Sequence, residues 1–364
     1  MSPHTQAPYT EPSAATPAID TVVWSDPQRR SRFFQWLGTL PADLGLQNAS
    51  LRAASVDASF RRYLRIDSAG GSLIIMDAPP DKEDCQPFVQ IAHLMQAAGL
   101  RVPEVLAWEH EQGFLLLSDL GAKTLLQGMD LNAAPPLDQY LEAVDLLLQW
   151  QQASQPEVLP AYDAALLRRE LQLFPDWYIA QHRQVVLDEK QRATLEQAFE
   201  RIIQNNLGWP NVYVHRDFMP RNLMLSPQGL GVLDFQDAVY GPITYDIASL
   251  MRDAFLSWDE EFCLDVTIRY WQKARKAGLP VGDDFGAFYQ GVEWMGLQRH
   301  LKVAGIFARL TLRDGKPQYL ADTPRFIHYI RSTCGRYMAL KPLLRLVEAV
   351  EGIEVPTAFV FGKF

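Results

Sequence analysis

Three residues between positions 217 and 234 have the types and spacing that phosphoryl transfer requires. In the stretch VYVHRDFMPRNLML (212–225), Asp217 is followed five positions later by Asn222. Twelve positions beyond that, the apolar run ending in Val232-Leu233 stops at a second carboxylate, Asp234. An aspartate can accept the proton of an attacking hydroxyl. An amide and a carboxylate can hold a metal ion on the phosphates being transferred. Magnesium takes oxygen ligands and keeps several waters, so Asn222, Asp234 and nucleotide phosphates suffice as its ligands. Short strands before Asp217 and before Asp234 would deliver both side chains to one cleft. Arg216 and Arg221 flank the proposed base and are placed to steady phosphate or acceptor, with Arg216 also readable as a structural loop residue. His215 reads as scaffold, because this chemistry needs no imidazole.

Around these residues the chain divides into two parts. Residues 1–20 are rich in Pro, Thr, Ala and Ser and read as a flexible tail without a secretory leader. From Asp26 a helix with Phe33, Phe34, Trp36 and Leu37 on its apolar face is expected. Three short strands over 51–78, a helix from Asp84 to about Ala98, and two strands in VPEVLAWEH and GFLLLSDLG follow. After Gly121 the apolar period becomes helical in LDQYLEAVDLLLQWQQAS, in YDAALLRRELQLFPDWYIAQHR and in EKQRATLEQAFERIIQ. Beyond the stretch at 212–242 only helices are expected: 245–256, 259–277, 284–308, 323–339 and 341–350. The expected fold is α+β and two-lobed. A small antiparallel β-sheet lobe with one helix spans 21–119, and a larger, mainly helical lobe spans 120–364.

HRDFMPRN fits the catalytic loop H-R-D-L-x-x-x-N, with Phe218 in place of Leu. The longer pattern VHRDFMPRNLML…GVLDFQDAVYGPITYDIASL resembles the aminoglycoside phosphotransferase family, whose fold is protein-kinase-like. The resemblance implies ATP and Mg2+ as cofactors, with Asp217 as catalytic base and Asn222 and Asp234 as metal ligands. It also places Asp246 where it would tie its helix to the catalytic loop. No A-P-E follows Asp234, and a helix begins by about Tyr245, which leaves no room for a peptide-docking segment. The acceptor is therefore expected to be small. DASFRRYLRI, LIIMDAPPDKEDC, FLLLSDLG, MGLQRHLKVAGIFARL and RDGKPQYLADTPRF extend the resemblance to the amino-sugar kinases of that family. These imply N-acetylmuramate and N-acetylglucosamine as acceptors at C1, in peptidoglycan recycling, ahead of a nucleotidyltransferase. An aminoglycoside, choline-like or homoserine-like acceptor, or a non-catalytic nucleotide-binding role, remain the alternatives.

The first hairpin turn, Ser55–Phe60, has no glycine. Asp57 and Ser59 are the candidates there for phosphate contact, with Arg61 and Arg62 behind them. Alternation puts Arg61 and Arg65 on the face opposite Arg62. The third strand lacks the usual lysine and the next helix lacks the usual glutamate, so the phosphate clamp must be built another way, with Lys82 a further candidate. Ser118, Asp119 and Leu120 mark the expected interlobe connector, where backbone groups near Ser118 and Leu120 would meet a purine base. For the acceptor, Glu170, Trp177 and Tyr178 are expected on one face of one helix. Arg299, with His300 and Lys302, is a candidate for a sugar carboxylate.

The bulk composition limits partners. The chain of 364 residues is 48% hydrophobic and 21% charged, with a net charge of −9. That acidity opposes binding to nucleic acid. No apolar run is long enough to span a membrane. The three cysteines, Cys85, Cys263 and Cys334, have no metal or redox spacing, which suits a reducing, cytoplasmic location.

Overall fold

The computed structural model describes residues 22–55 and 60–353. The expected tail at 1–20, and Asp57 and Ser59, lie outside the described residues. The chain divides into two compact units. One comprises the residues up to Ala92 with Pro103–Leu120; the other comprises His93–Val102 and the chain from Gly121 onward.

The first unit contains helix α1 (Pro27–Leu37) and strands β1 (Gln47–Ser55), β2 (Arg62–Ser68), β3 (Gly71–Asp77), β4 (Val105–Glu109) and β5 (Phe114–Ser118). Helix α2 (Gln86–Ala97) leaves this unit and ends in the other. The strands form one antiparallel sheet in the order β1-β2-β3-β5-β4. Asp26 caps α1 by accepting from the Gln28 N–H, and Pro27 starts the helix. Strand alternation then places Leu64 and Ile66 of β2, Ile75 of β3, and Phe114 and Leu116 of β5 against Phe33, Trp36 and Leu37 of α1. Trp36 stacks on Phe114 at 5.4 Å, and Phe33 meets the same ring edge-on at 5.4 Å.

The second unit is largely helical. Helices α3 (Leu125–Gly128), α4 (Leu137–Gln152), α5 (Ala164–Leu171) and α6 (Glu189–Leu207) precede the short strands β6 (Asn211–Val214), β7 (Leu223–Met224), β8 (Gly231–Val232) and β9 (Val239–Pro242). Helices α7 (Thr244–Met251), α8 (Glu260–Lys276), α9 (Phe285–Leu312), α10 (Thr323–Arg336) and α11 (Lys341–Glu351) follow. The helix expected over 245–256 stops at Met251, where Arg252 leaves helical geometry with φ −122° and ψ 55°. The helix expected over 162–183 is two elements. It is α-helical to Leu171 and π-helical from Phe174 to His182.

Helix α9 runs through the middle of this unit and is buried on most sides, which explains its weak amphipathic pattern. Gly305 lets it approach the start of the π-helix: a Cβ there would lie 2.3 Å from the Leu173 carbonyl oxygen. Buried charges on α9, namely Glu293, Arg299 and Lys302, are thus carried into the interior, where each requires a partner.

Candidate active site

Two short antiparallel pairs position the loop 215–222. β6 pairs with β9, Val214 opposite Val239, and ends at His215. β7 pairs with β8, Leu223 opposite Val232. Asn222 immediately precedes β7 and Asp234 lies two residues past β8, so the hairpin brings them together. The Leu233 N–H donates to the Asn222 carbonyl at 2.9 Å. The Asn222 side-chain amide donates to the Asp217 carbonyl at 2.8 Å and to Asp234 Oδ2 at 3.4 Å. The amide oxygen of Asn222 and the Asp234 carboxylate, which also accepts from the Gln236 amide at 2.8 Å, stand side by side. One amide and one carboxylate, completed by phosphate and water, fit Mg2+.

His215 is fully buried, and burial holds its imidazole down at about 4, so it is neutral. Its Nδ1 accepts from the Asp217 N–H at 3.2 Å, and Nε2 therefore donates to the Leu233 carbonyl at 2.9 Å. The ring ties the base to the strand that leads to Asp234. Asp246, in the first turn of α7 and fully buried, accepts from the His215 N–H at 2.7 Å and from the Arg216 N–H at 3.0 Å. The expected tie between α7 and the loop is thus present. Burial pushes this carboxyl up to about 7, against the pull of those two N–H donors.

Arg216 and Asp234 both have left-handed backbone, with φ 77° and 62°. Each turn aims a charged side chain that strand geometry would direct elsewhere. Arg216 donates to Glu170 Oε1 at 2.6 Å and to the Asp237 carbonyl at 3.2 Å. Glu170 also meets Lys302 Nζ at 3.0 Å and accepts from the Tyr162 hydroxyl at 2.5 Å. Lys302 donates in addition to the Tyr245 hydroxyl at 3.3 Å. Arg299 donates to the Arg216 carbonyl and lies 5.0 Å from the centre of the Tyr245 ring. Burial raises the Asp217 carboxyl, but Lys302, Arg299 and Arg216 outweigh it and hold the group below its ordinary range. Asp217 is therefore ionised.

Burial works against ionised Glu170, and the cations Lys302 and Arg216 reverse it, holding the carboxyl down at about 2. In the unfolded chain the same carboxyl titrates near 4.5, so between these values the unfolded state binds more protons. The contribution of Glu170 to stability is complete above pH 4.5 and is lost as pH falls toward 2, on the order of 3 kcal/mol in total. Glu170→Gln should flatten the acid limb of the stability curve in that window. Denaturant titrations at stepped pH check this, and an acid limb parallel to the parent's would contradict it.

The other predicted site residues are placed as follows. Tyr178 does not share a face with Glu170: its hydroxyl donates to Glu351 at 2.8 Å and its ring stacks on Phe174 at 5.2 Å. Trp177 is half-buried on the same π-helix. The wider turn after Pro175 breaks the α-helical register that would have aligned these residues with Glu170. Lys302, one α-helical turn beyond Arg299, belongs to the base's surroundings, and their i, i+3 spacing is the sequence signal for it. Tyr162 and Tyr245 gave no such signal.

In the first unit, Arg61 and Arg65 do lie on the face opposite Arg62. Arg62 pairs with Asp77 at 2.5 Å and lies over Trp24, beside the buried Arg29–Asp77 pair. Arg61 pairs with Glu83 at 3.1 Å, an ion pair in the unit that lacks the lysine and glutamate expected there. Arg65 and Ser72 hold the Asp119 carboxylate at 2.6 and 2.7 Å. The Ser118 N–H donates to the Glu104 carbonyl and its hydroxyl accepts from the Glu104 N–H, so this N–H already serves the sheet. Leu120 is buried.

An aspartate, a side-chain amide and a strand-end carboxylate gathered on one loop of a helical unit, in a chain that also holds a five-stranded antiparallel unit, are what a phosphotransferase of the protein-kinase-like fold requires. The family described as the phosphotransferase enzyme family matches residues 50–284, and this chain belongs to it. It is 48% identical over 331 residues to a Pseudomonas putida protein named N-acetylmuramate/N-acetylglucosamine kinase, covering 90% of this chain and 95% of that one. A Neisseria meningitidis protein of the same name is 47% identical over 338 residues, covering 92% of this chain and 100% of that one. Among solved structures, the ADP-bound aminoglycoside phosphotransferase APH(2'')-Ib superimposes with a TM-score of 0.52 at 15% identity, covering 84% of this chain and 97% of the other. No helix among the described residues is long and apolar enough to cross a membrane.

Proposed function

We propose that this phosphotransferase moves the γ-phosphate of ATP to the C1 hydroxyl of N-acetylmuramate and N-acetylglucosamine. The observation that carries the reading is the 47–48% identity, over at least 90% of the chain, to two kinases named for those sugars. Asp217 orients the acceptor hydroxyl and takes its proton as the bond to phosphorus forms. C1 is preferred to a 6-hydroxyl on the resemblance of the longer sequence pattern to amino-sugar 1-kinases, and the acid lability of the product tests that choice. Asn222 and Asp234 hold Mg2+ on the nucleotide, and the ion supplies neutralisation of charge on the phosphates. Nucleotide contacts are assigned to Arg61 and to the backbone at Asp119 and Leu120, with the Arg61–Glu83 pair taking the part usually played by lysine and glutamate. Arg62, held by Asp77 and Trp24 on the other face, and the Ser118 N–H, held by Glu104, are committed to the fold. A sugar 1-phosphate is the form a nucleotidyltransferase consumes, which places the enzyme ahead of one in the recycling of cell-wall sugars.

Incubation with ATP and Mg2+ across amino sugars, amino alcohols and aminoglycosides, followed by mass detection, tests this. A phosphorylated N-acetyl sugar that loses phosphate in hot dilute acid is the expected result. A product seen only with an aminoglycoside or an amino alcohol, or an acid-stable sugar phosphate, would displace it.

A further inference from the structure

Charged groups also surround Asp253, in the loop after α7, a carboxylate that the chemistry above does not use. Asp253 is 2% exposed. Its Oδ1 accepts from the Phe255 N–H at 2.8 Å, while its Oδ2 has no hydrogen-bond partner among the described residues. A buried carboxylate oxygen with nothing to accept from is costly and demands an occupant. Three arginines act on it: Arg299 of α9, Arg325 of α10 and Arg221 of the catalytic loop. Among the described residues none of them makes an ion pair with Asp253, and Arg325 turns to Asp322 instead, at 3.6 Å. Burial, which these cations only partly offset, pushes the carboxyl up to about 6. Arg325 Nη1 is likewise buried without a hydrogen-bond partner among the described residues.

One acceptor atom and one donor atom thus remain unsatisfied in the same electrostatic neighbourhood. The neighbourhood adjoins the base, because Arg299 also binds the Arg216 carbonyl and Arg221 lies four residues past Asp217. Apolar surface is present too. The Phe255 ring is covered by Arg221 at 4.4 Å and lies 5.7 Å from the Phe307 ring. An acetamido group matches this arrangement: one N–H, one carbonyl and one methyl. We propose that Asp253 and Arg325 read the acetamido group of the acceptor sugar, Asp253 accepting from its N–H and Arg325 donating to its carbonyl. This rests on the amino-sugar reading above and adds to it the residues that separate an N-acetylated sugar from a plain one. A site built to pair both ends of an amide rejects an analogue that leaves those ends unpaired.

The test compares N-acetylglucosamine with glucose as acceptors for the parent enzyme, Asp253→Asn and Arg325→Gln. Each substitution is expected to raise KM for N-acetylglucosamine at least about tenfold, to shrink the preference over glucose by a similar factor, and to leave KM for ATP within about twofold. A melting temperature for each variant accompanies the kinetics. Arg325 is partly exposed, so its variant decides the matter alone if Asp253→Asn does not fold. A preference ratio unmoved in the folded variants, or rates lowered equally for both sugars, overturns the inference and leaves the amino-sugar activity standing. A parent enzyme that phosphorylates neither sugar overturns both.

Discussion

Asp217→Asn is expected to lower turnover by about a thousandfold, within the range that a positioned general base contributes. The amide has the carboxylate's shape but cannot take up the acceptor's proton, and it carries no charge for Lys302, Arg299 and Arg216 to surround. The loop itself should survive. It is held by backbone bonds from His215 and Arg216 to Asp246, by His215 to the Leu233 carbonyl, and by Asn222 to the Asp217 carbonyl, none of which uses the Asp217 carboxylate. A folded protein, with a melting temperature lowered only by the lost attraction to those cations, and a nearly unchanged affinity for ATP should therefore accompany the loss. Steady-state rates on N-acetylglucosamine, with calorimetric titration of nucleotide, check both halves. Phosphorylation at the parent rate would remove Asp217 from the role of base.

The second large effect belongs to Asp234, and it should fall on a different quantity. Asp234→Asn removes the carboxylate assigned to the metal in the proposed mechanism, and affinity for Mg-ATP should fall on the order of a hundredfold. Asparagine is among the few side chains that tolerate left-handed backbone, so the φ of 62° is no obstacle to folding. ATP titrated without metal should bind parent and variant alike, whereas with Mg2+ the two should separate. Equal affinities in the presence of Mg2+ would count against Asp234 as a ligand. The contrast between the variants is itself diagnostic: one loses rate while keeping nucleotide, and the other loses metal-dependent nucleotide binding.

The loop from His215 to Asp234 was legible because its geometry is local. Two short strand pairs and a tight hairpin fix Asp217, Asn222 and Asp234 through contacts among near neighbours in sequence. The opposite faces of Arg61 and Arg62 were legible for the same reason, as strand alternation needs no tertiary information. Contacts set by packing were hidden. Glu170 pairs with Lys302 across most of the second unit, so its role beside the base has no local signature. Tyr178 was misplaced because an α-helical register was carried through a segment that winds as a π-helix. The Arg29–Asp77–Arg62 cluster was hidden too, because nothing in the helix pattern of α1 shows that Arg29 reaches the end of the central strand β3. Asp253 reads as an ordinary polar residue following a helix. Only the fold reveals that one of its oxygens is buried with no hydrogen-bond partner among the described residues.

The left-handed conformations of Arg216 and Asp234 bear on how this protein can be improved. Glycine would occupy either place with less strain, by about 1–2 kcal/mol at a non-glycine residue. At Asp234 backbone preference thus favours glycine where the proposed chemistry needs a carboxylate, whereas at Arg216 the buried ion pair with Glu170 outweighs that preference. Durability in this chain is therefore better sought elsewhere, in the caps, loops and surface charges.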